Sequence, residues 1–159
     1  MRSEEQVTKA IAQYSDTVKR ICFVHLKNEA DTQDIFQTVF LKYAMSQVEF
    51  ESPEHEKAWL IRVAINACKD LLKSFFRTHT VSLEEAEVRE DVPYEDYSEV
   101  MEALLKLPEK YRRVIYLHYY EDYTAPQISK ILGKNVNTVY TLLARAKNLL
   151  KKELRGEKT

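Results

Sequence analysis

Glycine is almost absent from this chain, and that scarcity constrains the fold more than any other feature of the sequence. The 159 residues include two glycines, Gly133 and Gly156, and four prolines. Sandwiches, barrels and glycine-rich phosphate loops need positive φ angles or a close backbone approach, which glycine provides. With few prolines, long helices run uninterrupted. Because 45% of the residues are hydrophobic, a core can form, and we predict an all-α protein.

Charge is segregated along the chain, although the net charge is only −1. Residues 57–77 carry five basic residues and one acid, and residues 123–155 carry seven basic residues and one acid. Between these segments, residues 78–104 carry nine acids and one arginine. A chain that binds nothing charged would mix its charges more evenly, although a single charge block is usually a solvated face.

The acidic stretch also marks a domain boundary. Residues 78–97 lack a sustained apolar stripe, include Pro93 and have the charge density of a solvated linker. We therefore predict two small helical domains, 1–77 and 98–159, joined by an acidic linker.

Three helices are predicted in the first domain. Apolar residues recur at spacings of three and four from about residue 4 to residue 27. Asp31 is the predicted N-cap of a second helix. Residues 46–56, around Pro53, are predicted to form a loop, and a third helix is predicted over about residues 54–76.

The third helix has two different faces. One is an apolar stripe that must face the core, formed by Leu60, Val63, Ala64, Ala67 and Leu71. The other combines cations that neutralise phosphates with an amide that reads base edges, and it consists of Arg62, Asn66, Lys69 and Lys73. An ordinary solvated face has a similar composition, so both interpretations stay open. Trp59 fits packing better than base stacking.

The second domain has the punctuation of a helix-turn-helix. A first helix is predicted over about residues 107–120, with proline in its first turn. Thr124 and Gln127 form a T-x-x-Q capping box that starts a short helix. Gly133 then allows the left-handed turn that ends this helix, and Asn135 caps the next one.

The last helix of this motif carries the candidate DNA contacts. Ser129 precedes Gly133 by four residues and Val139 follows it by six, a spacing at which two helices cross closely. Such a helix enters the major groove with its N-terminal residues leading, here Asn137, Thr138, Tyr140 and Thr141. Phosphate contacts are predicted further along, at Arg145, Lys147 and Lys151. A helical hairpin without DNA-binding function is the alternative.

Other classes of protein find little support. No apolar run approaches the ~20 residues needed to span a bilayer, and the acidic, polar start is unlike a secretory signal. Cys22 and Cys68 lie in apolar helical patterns, which predicts buried, reduced thiols in a cytoplasmic protein. The four histidines have no metal-ligand spacing, and no nucleophile motif is present. We predict no enzymatic activity, metal or cofactor.

Three segments resemble bacterial RNA polymerase sigma factors of the extracytoplasmic-function (ECF, group 4) type. They are DTQDIFQTVFLKYA (31–44), KAWLIRVAINACKDLLKS (57–74) and LPEKYRRVIYLHYYEDYTAPQISKILGKNVNTVYTLLARAKNLLKKEL (107–154). They occur in the family's order, with the acidic linker between the two domains. Three ordered motifs are more specific than a helix-turn-helix alone.

The resemblance implies that the first domain binds the coiled coil on the clamp of core RNA polymerase. The residues implied in that contact are Asp34, Gln37, Phe40 and Leu41. The same domain would read and melt the −10 element with a helix that includes Trp59, Arg62, Asn66, Lys69 and Lys73. The loop at 46–56 corresponds to the loop that captures a flipped −10 base, and single-stranded bases are held by stacking and edge contacts.

For the second domain, the resemblance implies recognition of the −35 element as duplex. The residues concerned are Asn137, Thr138, Tyr140, Thr141, Arg145 and Lys147. The resemblance further implies contact with the polymerase flap and sequestration by an anti-sigma factor. It implies no membrane insertion. Thr38, Tyr140 and Leu142 depart from the family pattern, since an acid is common at the first position and basic residues at the other two.

Three functional classes therefore compete. The leading one is a sigma factor that directs promoter-specific transcription initiation by core RNA polymerase. The second is a stand-alone helix-turn-helix regulator with an N-terminal sensing or dimerisation domain. The third is a protein-interaction module, such as an anti-sigma antagonist or an adaptor. The basic helix at 57–74 favours the first class, because a stand-alone regulator does not need it.

Overall fold

The computed structural model describes residues 1–79 and 98–156, which form seven α-helices and no strands. The helices are α1 (Glu4–Leu26), α2 (Glu29–Met45), α3 (Pro53–His79), α4 (Glu99–Leu105), α5 (Glu109–Tyr119), α6 (Ala125–Leu132) and α7 (Val136–Leu154). The chain divides into two compact units, here called the N-terminal unit (α1–α3) and the C-terminal unit (α4–α7). The all-α prediction is confirmed.

The predicted linker over 78–97 lies almost wholly outside the described residues. Thr78 and His79 are the exceptions, and both belong to α3. The prediction of a linker between 78 and 97 therefore stays a prediction.

The turn between α1 and α2 is tighter than the sequence predicts. Lys27 ends α1 in the left-handed conformation with φ of 54°, and its N–H donates to the carbonyl of Phe23. Asn28 follows at once as the N-cap of α2, and its side chain accepts a hydrogen bond from the Asp31 N–H at 2.9 Å. The prediction of Asp31 as N-cap is therefore wrong. Asp31 lies in the first turn of α2, where the helix dipole stabilises its negative charge.

The segment before α3 is shorter than predicted. Residues 46–52 connect α2 to α3 without helical structure, whereas Pro53 already begins α3. Proline suits the first turn of a helix, since the N–H it lacks would have no partner there. The predicted loop over 46–56 is thus corrected to 46–52, and this segment is called the α2–α3 loop below.

The core of the N-terminal unit is wider than a single stripe on α3. Leu60, Ala64 and Ala67 are buried as predicted, but Val63 and Leu71 are only half-buried. Because α3 packs against both α1 and α2, it buries residues on two sides of the predicted stripe. The additional core residues are Ile61, Ile65 and Cys68, and Cys68 and Cys22 are buried and not joined by a disulfide.

The C-terminal unit contains one helix that lies outside every predicted helix. Ser98 caps α4 by accepting a hydrogen bond from the Met101 N–H at 3.1 Å. The end of α4 is capped from α5: the buried guanidinium of Arg112 donates to the carbonyls of Leu105 and Leu107 at 3.3 and 3.1 Å. A buried arginine therefore satisfies carbonyls that a helix end leaves without partners.

The remaining helices of the C-terminal unit follow the predicted order. Pro108 is the N-cap of α5 rather than a residue inside its first turn. Buried side chains from α5, α6 and α7 meet in one core, which includes Ile115, Ile128, Val139 and Ala146. Among the described residues, no helix is both long and apolar enough to cross a membrane.

Candidate nucleic-acid interface

The turn between α6 and α7 has the predicted caps and one contact that was not predicted. Thr124 and Gln127 form the capping box, and Gly133 takes the left-handed conformation with φ of 66°. The Ser129 hydroxyl donates to the carbonyl of Lys134, and the Lys134 N–H donates to the carbonyl of Ser129 at 3.0 Å. Ser129 is thus more than a small residue at a helix crossing, because it closes the turn.

The solvent-facing side of α7 presents the predicted DNA contacts together. Its N-cap, Asn135, accepts a hydrogen bond from the Asn137 N–H at 2.8 Å. The exposed side chains are Asn137, Thr138, Tyr140, Thr141 and Arg145, and this set is called the α7 face. Leu142 is buried, so its departure from the family pattern changes the core and not this face.

Lys147 and Lys151 lie at the edge of the α7 face, beside an apolar groove. The Lys147 ammonium lies 5.7 Å from the centre of the Tyr119 ring, a cation–π distance. The groove has a volume of about 460 Å³. Its further lining residues include Val100, Tyr119, Leu150 and Leu154. The groove was not predicted from the sequence, because it depends on α4, a helix that was not predicted either.

On α3, the predicted cation-and-amide stripe faces solvent. Arg62, Asn66 and Lys73 are exposed, and Lys69 is half-buried. The stripe of Arg62, Asn66, Lys69 and Lys73 is called the α3 face. Its residues follow one another at spacings of four, three and four, so they project from the same side of the helix.

Trp59 joins the α3 face to an aromatic cluster. The Trp59 ring lies 6.2 Å from the Tyr43 ring and 5.7 Å from the Phe50 ring, with edge-to-face geometry in both pairs. Phe50 also contacts the His55 ring at 5.2 Å. Trp59 is half-buried, so it packs within this cluster and keeps part of its surface available. The α2–α3 loop, through Phe50, therefore lies against the start of α3.

The predicted polymerase surface on α2 is mostly exposed. Asp34 and Gln37 are exposed and Leu41 is 65% exposed. Phe40, by contrast, is 5% exposed and contacts the Phe36 ring at 4.9 Å. Phe40 therefore supports this surface from within the core and does not lie on it.

Two further residues of α2 bear on that surface. Met45, one turn after Leu41, is 62% exposed and extends the apolar end of the surface. It was missed by the sequence analysis, although its spacing of four from Leu41 is a usable signal. Thr38 donates its hydroxyl to the carbonyl of Asp34 at 3.1 Å, so this side chain turns back to its own helix.

Two tyrosine hydroxyls donate hydrogen bonds to the first turn of α3. The Tyr43 hydroxyl donates to Glu56 Oε2 at 2.7 Å, and Tyr14 donates to the carbonyl of Pro53 at 3.3 Å. Burial is the larger cause that raises the pKa of both tyrosines from 10.0 to about 12, and the nearby Glu56 carboxylate adds to the rise. The start of α3 is thus held by two neutral phenols, one bonded to the Glu56 carboxylate and one to the carbonyl of Pro53.

Comparisons with known proteins find matches to both units of the chain. The family model for Sigma-70 region 2 matches residues 10–77, and the model for Sigma-70, region 4 matches residues 97–150. The RNA polymerase sigma factor SigV of Bacillus subtilis is 33% identical over 97% of both chains. The chain belongs to the ECF family of RNA polymerase sigma factors. The ECF sigma factor SigW of the same bacterium is 28% identical over 89% of this chain and 85% of its own length.

Solved structures share the fold of this sigma factor. The sigma factor RpoE from Bartonella quintana, crystallised with the anti-sigma factor NepR, matches with a TM-score of 0.78 at 18% identity, over 97% of this chain and 99% of RpoE. CnrH, in complex with the cytosolic domain of CnrY, matches with a TM-score of 0.68 at 22% identity, over 98% of this chain and 92% of CnrH.

The described residues contain no cluster of three or more His, Cys, Asp or Glu side chains placed to hold a metal ion.

Proposed function

We propose that this sigma factor assigns the two parts of a promoter to its two units. The N-terminal unit melts and captures the −10 element with the α3 face and the α2–α3 loop, and the C-terminal unit reads the −35 duplex with the α7 face. The observation that carries the proposal is the presence of two exposed faces, one on each unit, that combine cations with amide or hydroxyl groups. Cations neutralise phosphates and the amides and hydroxyls reach base edges.

Core RNA polymerase would meet both units. On α2, the exposed polar pair Asp34 and Gln37 borders the apolar pair Leu41 and Met45. A polar rim around an apolar centre is typical of a specific protein interface, which supports contact with the polymerase clamp. The groove beside α7 offers an apolar lining with two lysines at its rim, which supports contact with the polymerase flap.

An anti-sigma factor is a further proposed partner. RpoE was solved with the anti-sigma factor NepR, and the same exposed polymerase surfaces would be available for sequestration. The chain would act in the cytoplasm, where RNA polymerase works, as a specificity subunit without catalysis of its own. The predicted domains 1–77 and 98–159 and the linker 78–97 are part of this proposal.

Run-off transcription with core polymerase on genomic DNA tests the proposal. Start sites should share one motif near −10 and another near −35, and transcripts should require both the chain and core polymerase. Co-purification with core polymerase is expected as well. A chain that fails to bind core polymerase, yet binds a specific duplex tightly alone, would be a stand-alone regulator instead.

A further inference from the structure

We propose that Arg2 is a positioning residue that holds the α2–α3 loop in the geometry needed to capture a −10 base. The inference rests on the proposed function of that loop. Its basis is a set of contacts that Arg2 makes across more than forty residues of sequence.

The first group of contacts is hydrogen bonding to carbonyls. The Arg2 N–H donates to the carbonyl of Ala44 at 2.8 Å, and Arg2 Nε donates to the carbonyl of Tyr43 at 3.1 Å. Both carbonyls belong to the last turn of α2, where a cation is favoured, and the Tyr43 carbonyl also accepts a hydrogen bond from the Ser46 N–H at 3.2 Å. Arg2 Nη2 donates to the carbonyl of Val48 in the loop itself. One side chain therefore joins the end of α2 to the loop.

The second group of contacts is aromatic. The Arg2 guanidinium carbon lies 4.6 Å from the centre of the Tyr43 ring and 4.9 Å from the centre of the Phe50 ring. These two rings are nearly parallel, 2° apart in orientation, with centres separated by 6.2 Å. A planar guanidinium suits this position because it stacks on rings and donates hydrogen bonds at its edge at the same time.

Local hydrogen bonds hold the two ends of the loop. The Ser46 hydroxyl accepts from the Val48 N–H at 3.1 Å, and His55 Nδ1 accepts from the Glu51 N–H at 3.1 Å. The first contact lies within the loop and the second joins the loop to the start of α3, so neither connects the loop to more distant parts of the unit. Arg2 supplies such a connection from the start of the chain, and Phe50 carries it on to Trp59 on α3.

The contacts of Arg2 with Tyr43, Val48 and Phe50 are here called the clasp. The clasp borders a cavity of about 470 Å³. Arg2 and Phe50 line it together with Gln6 and Lys9 from α1 and Glu56 from α3. This volume lies within the range of small-molecule sites, about 300–1,000 Å³. Because Arg2 and Phe50 form part of the wall, loss of the clasp would change the shape of the space beside the loop where the proposed function puts a flipped base.

The test compares Arg2→Ala and Arg2→Lys with Lys9→Ala in the full-length chain. All three variants change a cation that lines the same cavity. Lys9 belongs to α1, so Lys9→Ala serves as the matched control for loss of charge. The first measurement is amide hydrogen exchange of the α2–α3 loop without DNA. Exchange should accelerate about tenfold in Arg2→Ala, as for the loss of one charge-assisted hydrogen bond. Arg2→Lys should also accelerate it, because an ammonium cannot form the planar fork.

The second measurement uses the holoenzyme and an oligonucleotide with the nontemplate strand of a −10 element mapped by run-off transcription. Arg2→Ala should bind this strand about tenfold more weakly than Lys9→Ala, and the defect should persist on a template opened beforehand. Unchanged loop exchange in Arg2→Ala would overturn the proposal, as would faster exchange with unchanged binding of the strand. If the native holoenzyme does not bind the strand, the proposed function fails, whereas the exchange comparison still decides whether Arg2 anchors the loop.

Discussion

Tyr43 connects three features of the N-terminal unit at the scale of a single residue. Its hydroxyl binds Glu56, its ring stacks on Phe50 and its carbonyl accepts from Arg2. The pKa of Tyr43 is raised to about 12, mainly by burial and next by the hydrogen bond to Glu56. The folded state therefore favours the neutral phenol more than the unfolded state does.

This pKa predicts how stability depends on pH. Because the folded pKa is raised above the unfolded value of 10.0, the stabilisation is complete below pH 10 and is lost as pH rises towards 12. The free energy of unfolding of the native chain should fall over that window. Among the described residues, two phenols have a raised pKa, and Tyr43→Phe lacks one of them. The free energy of unfolding of this variant should therefore decline less with pH, although it is lower than that of the native chain at pH 8. Urea denaturation at pH 8 and pH 11 measures the difference, and equal declines would contradict the assignment.

The caps illustrate what single residues reveal before a structure is known. Thr124, Gly133 and Asn135 were predicted correctly because each has one conformational reason for its place. Asp31 was predicted wrongly because Asn28, three residues earlier, is an equally good cap. What decides between them is the left-handed Lys27 at the end of α1, and a lysine carries no local signal for that conformation.

At the scale of the element, the α3 face allows a separation of function from stability. Asn66 is exposed and Lys69 is half-buried on the solvent side of α3, so Asn66→Ala/Lys69→Ala should change stability by only about 0.5 kcal/mol. Transcription from a duplex promoter should nevertheless be lost, while binding to core polymerase is kept, because the proposed polymerase surface lies on α2. If the defect is in melting, a template with a mismatched, open −10 region should restore part of the activity.

The control for this prediction comes from the other side of α3. Leu60 is 1% exposed, and Leu60→Ala should cost roughly 2–5 kcal/mol through loss of burial and a residual cavity. Thermal denaturation separates the two variants. Full transcription by Asn66→Ala/Lys69→Ala on the closed duplex would show that the α3 face is an ordinary solvated surface.

On α7, phosphate contacts and base contacts should differ in their response to salt. Arg145 is exposed beside the predicted base contacts. Arg145→Ala should weaken binding to all sequences and make the dependence of log K on log salt shallower by about 0.9 for one lost contact. Asn137→Ala should instead relax preference at a −35 base with an unchanged slope. Holoenzyme binding across a salt series measures both, and the reverse pattern would contradict the assignment.

Other properties of the elements depend on tertiary packing and could not be predicted from periodicity. The helix α4 spans only Glu99–Leu105, too short for its apolar spacing to stand out in an acidic context. The buried side of α3 is wide because two helices cover it, which brings Ile61 and Ile65 into the core. The groove beside α7 requires α4 and α5 together, so no single segment of sequence indicates it.

At the scale of the whole molecule, the order of the motifs was the strongest signal. Each unit alone has alternatives, because a basic helix face or a helix-turn-helix occurs in many proteins. A −10 type helix followed by a −35 type helix in one chain has few alternatives, and the two matched regions, 10–77 and 97–150, occur in that order. The family was therefore predictable from sequence, whereas the clasp at Arg2 was not, since it joins residues far apart in the chain.

The charge pattern predicts that the acidic segment competes with DNA for the basic faces of the free protein. Residues 78–104 carry nine acids and one arginine, between basic segments at 57–77 and 123–155. Within one chain, such a segment is present at high effective concentration, so it should reduce the attraction of duplex DNA. The free chain should accordingly bind promoter duplex poorly, and core polymerase should increase the binding.

A matched pair of charge variants tests this competition. The triple variant is Glu84→Gln/Glu85→Gln/Glu87→Gln, and its positions lie outside the described residues. It should bind duplex several-fold more tightly than the native chain at about 50 mM salt. The gain should shrink at about 200 mM salt, because charges are screened there. The control Glu4→Gln/Glu5→Gln/Asp16→Asn changes the net charge equally at exposed positions of α1. Because the acids near the basic segments should matter more than total charge, the control should gain less, and equal gains in both variants would contradict the competition.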